Sequence, residues 1–232
     1  MIILVLSTKS DSYLEFKKIW IEFAEKVYPN TILYEGGSDE VKFSKNTLYL
    51  KSKDELQYCA HKTFEAIKWV RRNYGEVPIM RTNLSSLWEI QGLKNYFLMC
   101  SEQNLNYCGI IGTYSSLVEK FYHQPTIYRI LHNIPFLKLL KKKFISGAGI
   151  YLSVNAIDEL LDNPPNNSYV DDIYMASVLF RKYRNELLEY TRKDNWQESE
   201  EIEDYFHFKF KSKNRSEDAK RMQTLFLKLY PQ

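Results

Sequence analysis

Two adjacent aspartates, Asp171 and Asp172, precede an apolar stretch and follow a loop rich in proline and asparagine at residues 164–167. A carboxylate in the first turn of a helix interacts favourably with the helix dipole, by roughly 0.3–1 kcal/mol, and N-capping requires only one such group. A second carboxylate beside it adds like-charge repulsion, which raises the proton affinity of one of the two. The pair therefore fits two interpretations, a helix cap and a general base that removes a proton from a hydroxyl group.

Basic side chains occur where they could contact a phosphate. Lys62 lies in the helical segment "AHKTFEAIKWVRR", and the segment "YFHFKFKSKNRSED" alternates aromatic or small residues with basic ones. On a strand, such alternation points the basic residues to one side, towards solvent or a polyanion. These residues are His207, Lys209, Lys211 and Lys213, followed by Arg215. The simpler interpretations, a solvated lysine and a structural histidine, remain open.

Two further segments combine polar residues or glycines with apolar strands. In "PIMRTNLSSLW" the polar residues Asn83, Ser85 and Ser86 follow an apolar strand, a position where α/β folds hold diphosphates and metals. This box contains no carboxylate, so it also fits an ordinary turn whose side chains bind the backbone. In "SGAGIYLS" Gly147 and Gly149 allow close backbone approach, either to a flat ligand such as a sugar or to a packed neighbouring element.

The elements that position these residues alternate over residues 1–90 in the order strand, helix, strand, strand, helix, strand. A run of β-branched residues and leucine at 2–6 predicts a central strand covered on both faces. The whole pattern predicts an α/β fold with a mostly parallel central sheet flanked by helices. Because ligands bind beyond the carboxyl ends of such strands, we expect the polar turns at 7–10, 35–38 and 81–86 to share one edge.

The composition excludes several classes of protein. With 232 residues, of which 44% are hydrophobic, the chain is long enough for one domain with a substantial core. A net charge of +3 is too small for a protein that coats nucleic acid, and no apolar run approaches the roughly 18 residues of a membrane span. The cysteines Cys59, Cys100 and Cys108 lack metal-ligand spacing. Without a signal peptide, we expect a cytoplasmic protein whose oligomeric state stays open.

Four segments, in this order, resemble the GT-A fold glycosyltransferases, most closely the beta-1,3-galactosyltransferase and fringe-like group. "HKTFEAIKWV" is similar to the family's Lys-Thr helix, and "PIMRTNLSSLW" to its strand ending in an Asp-x-Asp box. "FISGAGIYLSVNAIDELL" is similar to its G-x-G-Y-x-x-S segment, and "YVDDIYMASVLF" to its Asp-Asp-Val segment. The resemblance covers about residues 45–215 and implies one GT-A-like domain over 1–232, with a nucleotide-binding half at 1–90 and an acceptor-binding half at 91–232.

The resemblance also implies roles for individual residues. Asp171 or Asp172 would be the base that deprotonates the acceptor hydroxyl, and the motif favours Asp171 as base with Asp172 as its structural partner. The residues expected to bind the donor are Ser7, Thr8 and Ser10 near the nucleotide base, Lys62 at the diphosphate, Arg81, Thr82, Asn83 and Ser85 at the strand end, Gly147 and Gly149 beside the sugar, and Lys211 and Arg215 in the basic segment. His207 stands where many members of the fold have a late histidine that binds the metal or the diphosphate.

One departure from the family concerns the metal ion. Asn83-Leu84-Ser85 stands where the family has its acidic box, and neutral side chains hold Mn²⁺ or Mg²⁺ poorly. Three options stay open: weak metal binding through Asn83, Ser85 and His207, a metal-independent enzyme whose cationic side chains neutralise the leaving diphosphate, and a protein that has lost catalysis. Retention of the aspartate pair and the basic segment favours the first two options.

The expected function is transfer of a sugar from a nucleotide-sugar donor, UDP-linked, to a hydroxyl group of a glycan or other acceptor, with the inversion that the family implies. The alternative is a catalytically inactive protein that binds carbohydrate or a nucleotide sugar. The sequence lacks the P-loop, GxGxxG and G-x-S-x-G motifs, which argues against another type of α/β nucleotide-binding enzyme.

Overall fold

The structure, a computed structural model, describes residues 1–115, 141–166, 170–183 and 188–231. None of the helices within these ranges combines the length and the hydrophobicity that crossing a membrane requires. The three cysteines are buried free thiols.

A seven-stranded sheet with the order β3-β4-β2-β1-β5-β8-β7 forms the centre of the described structure. Its strands are β1 (Ile2–Leu6), β2 (Thr31–Glu35), β3 (Lys42–Ser44), β4 (Thr47–Tyr49), β5 (Ile79–Asn83), β7 (Tyr107–Ser115) and β8 (Lys141–Leu152). Strand β1 pairs in parallel with β2 and β5, and β2 pairs in parallel with β4. Strands β3 and β8 run antiparallel to their neighbours. The predicted α/β fold with a mostly parallel sheet is confirmed.

Helices cover both faces of this sheet because its central strand alternates buried side chains between them. The helices are α1 (Leu14–Lys26), α2 (Cys59–Tyr74), α3 (Ile90–Glu102), α4 (Val154–Asp162), α5 (Asp171–Tyr183) and α6 (Arg215–Leu229). Ile3 and Val5 of β1 join one apolar cluster with α1, α3 and α6. Ile2 and Leu4 join a second cluster with α2, α4 and α5. Burial of β1 on both sides is what its continuous apolar run predicts.

Local sequence signals account for several helix ends. Helix α2 ends at Gly75, whose φ of 74° favours glycine, as the sequence predicts. The Ser153 hydroxyl accepts a hydrogen bond from the Ala156 amide at 3.2 Å and so caps α4. Helix α5 begins at Asp171, which puts both adjacent aspartates in its first turn.

A small second sheet has the order β6-β10-β9. Its strands are β6 (Ser86–Trp88), β9 (Lys193–Asp194) and β10 (His207–Lys209). The expectation that four basic side chains share one face of a strand, towards solvent or a polyanion, is wrong, because β10 ends at Lys209 and includes neither Lys211 nor Lys213. His207 on β10 is also fully buried. The chain turns after Lys209 because the Lys211 amide donates to Asn195 Oδ1 at 2.8 Å instead of continuing a strand.

Candidate functional site

The polar strand ends lie together at one edge of the central sheet, as the sequence predicts. Leu6 at the end of β1 is in register with Asn83 at the end of β5. On the other side of β1, the Ser7 amide donates to the Tyr34 carbonyl at 2.8 Å, and the Ser7 hydroxyl donates to Glu35 at 3.3 Å. Parallel pairing brings the carboxyl ends of neighbouring strands to the same edge, which is where α/β sheets bind ligands.

A cleft of about 380 Å³ opens at this edge, a volume within the usual range of small-molecule sites. Its walls come from the ends of β1, β5 and β10, the starts of α2 and α6, and the residues that precede α2. The predicted donor-binding residues that line it are Ser7, Thr8, Ser10, Lys62, Asn83, Ser85 and Arg215. Lys209 of the predicted basic segment lines it as well, and so do Tyr13 and Asp54, which were not predicted as site residues. The fold therefore brings together side chains from five separate stretches of the sequence.

Asp54 is the acidic residue that organises one wall of the cleft. Its carboxylate accepts hydrogen bonds from the Lys62 ammonium at 2.8 Å, the Thr8 hydroxyl at 2.9 Å and the Lys9 amide at 2.6 Å. Burial alone would raise the pKa of Asp54, but these hydrogen bonds outweigh it and hold the pKa below its usual value. A signal for Asp54 exists in the sequence, since it follows β4, another parallel strand whose carboxyl end lies at this edge.

Helix α2 connects the cleft with the aspartate pair through two successive residues. Lys62 is only 2% exposed, which excludes the interpretation of a solvated surface lysine. The next residue, Thr63, donates from its hydroxyl to Asp171 Oδ2 at 2.8 Å, and the same hydroxyl lies 2.7 Å from Tyr34 Oη. Lys62 thus lines the cleft, whereas Thr63 contacts the buried pair.

Asp171 forms a buried ion pair with Arg81 of β5. The two side chains are 4% and 2% exposed, and Asp171 also accepts the hydrogen bond from Thr63. Burial alone would lower the pKa of Arg81, but Asp171, Tyr34 and Asp172 together outweigh it and raise the pKa, so the guanidinium stays charged. Asp171 Oδ2 therefore has two partners from neighbouring elements, Arg81 of β5 and Thr63 of α2.

Asp172 is held differently from its neighbour. One oxygen, Oδ2, accepts from the Gly147 amide at 3.0 Å, whereas Oδ1 is buried and has no hydrogen-bond partner among the described residues. Burial, followed by the charge of Asp171, raises the pKa of Asp172 to about 6, and Arg81 opposes this rise. Asp172 therefore has both an unused oxygen and an increased affinity for a proton.

Gly147 links the aspartate pair to the strand end that lines the cleft. Its amide binds Asp172, and its carbonyl accepts from Arg81 and, at 3.4 Å, from Asn83 Nδ2. A Cβ at this position would collide with the Arg81 guanidinium, and one at Gly149 would collide with the Tyr190 side chain. Packing thus accounts for both glycines, and their predicted place beside a sugar stays a prediction.

Lys209 reaches the polar box from the other sheet. Its ammonium donates to Asn83 Oδ1 and, at 2.7 Å, to Ser85 Oγ. Burial lowers the pKa of Lys209 well below its usual value, and the positive charges of Arg192, Arg81 and Arg215 lower it further. An anion in the cleft would offset this crowding of positive charge and stabilise the ammonium form.

Several predicted site residues lie outside the cleft lining. Thr82 donates from its hydroxyl to the Ala148 carbonyl at 2.5 Å, so it joins β5 to β8. Lys211 forms an ion pair with Asp194. Arg81 is committed to Asp171 behind the cleft.

The residues predicted to hold a metal ion do not form a suitable set. Asn83 and Ser85 already accept hydrogen bonds from Lys209. His207 does not line the cleft, and its Nδ1 lies 3.0 Å from Tyr190 Oη. Within the described ranges, no cluster of three or more histidine, cysteine or acidic residues could hold a metal. Hard divalent cations require anionic oxygens, so Asn83, Ser85 and His207 do not form a set that fits Mn²⁺ or Mg²⁺.

Comparison with other proteins identifies the fold. No protein-family model matches the chain, and no curated protein matches it in sequence. Among solved structures, the chain is similar to a glycosyltransferase involved in the glycosylation of the major capsid of PBCV-1. The TM-score is 0.52 and the sequence identity 10%, over 97% of this chain and 100% of that one. The fold is that of a glycosyltransferase. The cleft and the polar box lie at the carboxyl edge of the parallel strands of this fold.

Proposed function

We propose that the protein is a glycosyltransferase that moves a sugar from a nucleotide-sugar donor, UDP-linked, to a hydroxyl group of a glycan or similar acceptor. One observation carries the proposal: a cleft with a cationic wall, lined by Asn83, is linked through Gly147 to Asp172, whose buried Oδ1 has no partner among the described residues. A departing diphosphate requires positive charge, and an attacking hydroxyl group requires a base. The fold supports the same assignment.

The cleft offers separate surfaces for the two parts of a nucleoside diphosphate. Lys62, Lys209 and Arg215 line it and provide positive charge for the diphosphate. Tyr13 also lines it, and the Arg215 guanidinium lies 5.3 Å from the centre of the Tyr13 ring. An aromatic face of this kind suits stacking of a nucleobase.

Asp172 is the better candidate for the base, which reverses the preference within the pair that the motif suggests. Asp171 is committed to Arg81 and Thr63, whereas Asp172 keeps one oxygen without a described partner. With a pKa of about 6, Asp172 is a carboxylate at neutral pH that binds a proton more strongly than an ordinary aspartate.

The chemical step follows from these positions. The acceptor oxygen attacks the anomeric carbon of the donor sugar while the bond from that carbon to the diphosphate oxygen breaks. The proton of the acceptor hydroxyl passes to Asp172, and the electron pair of the broken bond leaves with the diphosphate, which the cationic wall stabilises. Attack opposite the leaving group inverts the anomeric configuration.

Substitution of Asp172 by asparagine tests this assignment. Release of nucleotide from a panel of UDP-sugars, with and without glycan acceptors, is measured on the full chain. Asp172→Asn should lower kcat by about 100-fold or more, because general-base catalysis contributes about that much, while UDP binding is retained. Asp162→Asn, at an exposed position on α4, is the matched control and should keep full turnover. Undiminished kcat in Asp172→Asn would exclude Asp172 as the base.

The alternative function is binding of a nucleotide sugar or carbohydrate without catalysis. The neutral side chains of Asn83 and Ser85, at the position of an acidic box in the resembling family, favour this alternative. Calorimetric binding of UDP, combined with no nucleotide release from any donor and acceptor pair, would support it. Measurable transfer to any acceptor would eliminate it.

A further inference from the structure

Lys209 places its ammonium group directly on the polar box at the end of β5. Its Nζ donates to Asn83 Oδ1 and to Ser85 Oγ, and all three side chains line the cleft. The two acceptors are neutral and are separated from Lys209 by 126 and 124 positions in the chain. A positive charge attached to the protein therefore occupies the point at which an acidic box would hold a metal ion.

Buried structure fixes the position of Lys209. The residue ends β10 and is in register with Ser86 of β6. The aromatic residues on either side, Phe208 and Phe210, are fully buried, and the Phe210 amide donates to the Ser85 carbonyl at 2.8 Å. The ammonium is thus presented to the cleft by an anchored strand end.

The charge of Lys209 is not neutralised by a carboxylate in the described part of the chain. The nearby Asp194 forms ion pairs with Arg192 and Lys211 instead. Lys62, on the opposite wall, is different because Asp54 lies 2.8 Å from its ammonium. Of these two lysines, Lys209 is therefore the one whose charge an incoming anion would balance.

We propose that Lys209 is a counterion, built into the cleft wall, for the diphosphate of the donor and replaces a divalent metal ion at this edge of the sheet. The inference rests on the proposed function, because it takes the cleft to receive a nucleoside diphosphate. Asn83 and Ser85 orient the ammonium, and the ammonium binds the diphosphate oxygens as a point charge. A metal ion would have to displace this attached cation from two neutral oxygens, which hard cations bind weakly. Donor binding and transfer therefore proceed without a metal ion.

Calorimetry on the full chain tests this inference. The ligand is whichever of UDP, GDP and ADP binds most tightly, titrated once with EDTA and once with Mn²⁺. The wild type should bind equally well in both. Lys209→Met, which keeps most of the aliphatic stem, should weaken binding in both by about 10- to 100-fold, as expected for loss of one charge-assisted contact. Lys220→Ala removes an exposed lysine of α6 and should leave the affinity unchanged.

The outcomes separate the two proposals. No binding of any of the three nucleoside diphosphates, with or without Mn²⁺, would overturn the proposed function itself. Binding that requires Mn²⁺, or wild-type affinity in Lys209→Met, would overturn the role of Lys209 alone. Lys209→Arg retains the charge and should keep most of the affinity in EDTA. If Lys209→Met does not fold, the test uses Lys209→Arg and the wild type. The inference would be overturned if both proteins bind the nucleoside diphosphate only in the presence of Mn²⁺.

A designed reversal gives a second readout. In Asn83→Asp/Ser85→Asp/Lys209→Met, two carboxylates replace the neutral acceptors and the attached cation is removed. Mn²⁺ should then improve nucleoside diphosphate binding by about tenfold or more, because the box would have the anionic oxygens that the metal requires. An equal improvement by Mn²⁺ in the wild type would contradict the inference.

Discussion

Replacing Asp172 with asparagine should make the folded protein more stable at neutral pH while it removes the proposed base. Burial, followed by the charge of Asp171, raises the pKa of Asp172 from its ordinary 3.8 to about 6, against the opposing effect of Arg81. A carboxyl group whose pKa rises on folding destabilises the folded state when it is ionised. The difference between 3.8 and about 6 corresponds to an upper value of about 3 kcal/mol.

The pH window follows from the same two values. Below about pH 4 the group is protonated in both the folded and the unfolded states, so its charge has no effect on stability. Between about pH 4 and pH 6 the unfolded chain releases its proton first, and the wild type loses stability relative to Asp172→Asn as the pH rises. Above about pH 6 the full difference is reached, and each 1 kcal/mol corresponds to roughly 2–4 °C in Tm for a chain of this size.

Urea unfolding at two pH values provides the assay. Trp20, Trp88 and Trp196 are fully buried, so their fluorescence reports unfolding of the core. The stability advantage of Asp172→Asn should be small at about pH 4 and largest at about pH 8. The control Asp162→Asn should stay within about 0.5 kcal/mol of the wild type at both. A variant that is less stable than the wild type at pH 8, or whose advantage is the same at both values, would refute the reasoning.

Two further substitutions test the buried ion pair and the cleft wall. Arg81→Met removes the partner of Asp171 and should lower the free energy of unfolding by about 3–5 kcal/mol in the same urea titration, because it leaves a buried charge uncompensated; a loss under about 1 kcal/mol would contradict this role. Asp54→Asn should lower stability at pH 7 by about 1–3 kcal/mol through its weakened hydrogen bonds to Lys62, Thr8 and Lys9. Because the pKa of Asp54 is lowered on folding, this contribution is present at neutral pH and is lost as the pH falls through its folded value, so the two proteins should converge in acid. A difference between them that persists unchanged into acid would count against the ionised Asp54.

Local patterns in the sequence were sufficient to predict the α/β fold and the edge of the sheet at which the polar strand ends lie. The apolar run of residues 2–6 predicted a strand buried on both faces, because an uninterrupted run of β-branched residues and leucine is typical of a strand covered on both sides. The position of ligand sites beyond the carboxyl ends of parallel strands then placed Ser7 and Asn83 near one another, because parallel strands align these ends irrespective of the side chains between them. The same rule applied to β4 would have added Asp54.

The sequence by itself determined most of the alternation of strands and helices over residues 1–90, although not the short strands β3 and β6, and it determined the edge of the sheet at which ligands would bind. Both depend on periodicity and strand direction. Only the tertiary structure decided which aspartate is committed and which lysine faces the polar box. Asp171 and Asp172 are equivalent by spacing, yet Arg81 of β5 engages the first and leaves an oxygen of the second without a described partner. Lys209 and Lys211 are two positions apart, which would put both on one side of a strand, yet Lys209 donates to the polar box and Lys211 pairs with Asp194. The protonation and exposure of a side chain depend on neighbours brought from distant parts of the chain, and a local pattern does not contain them.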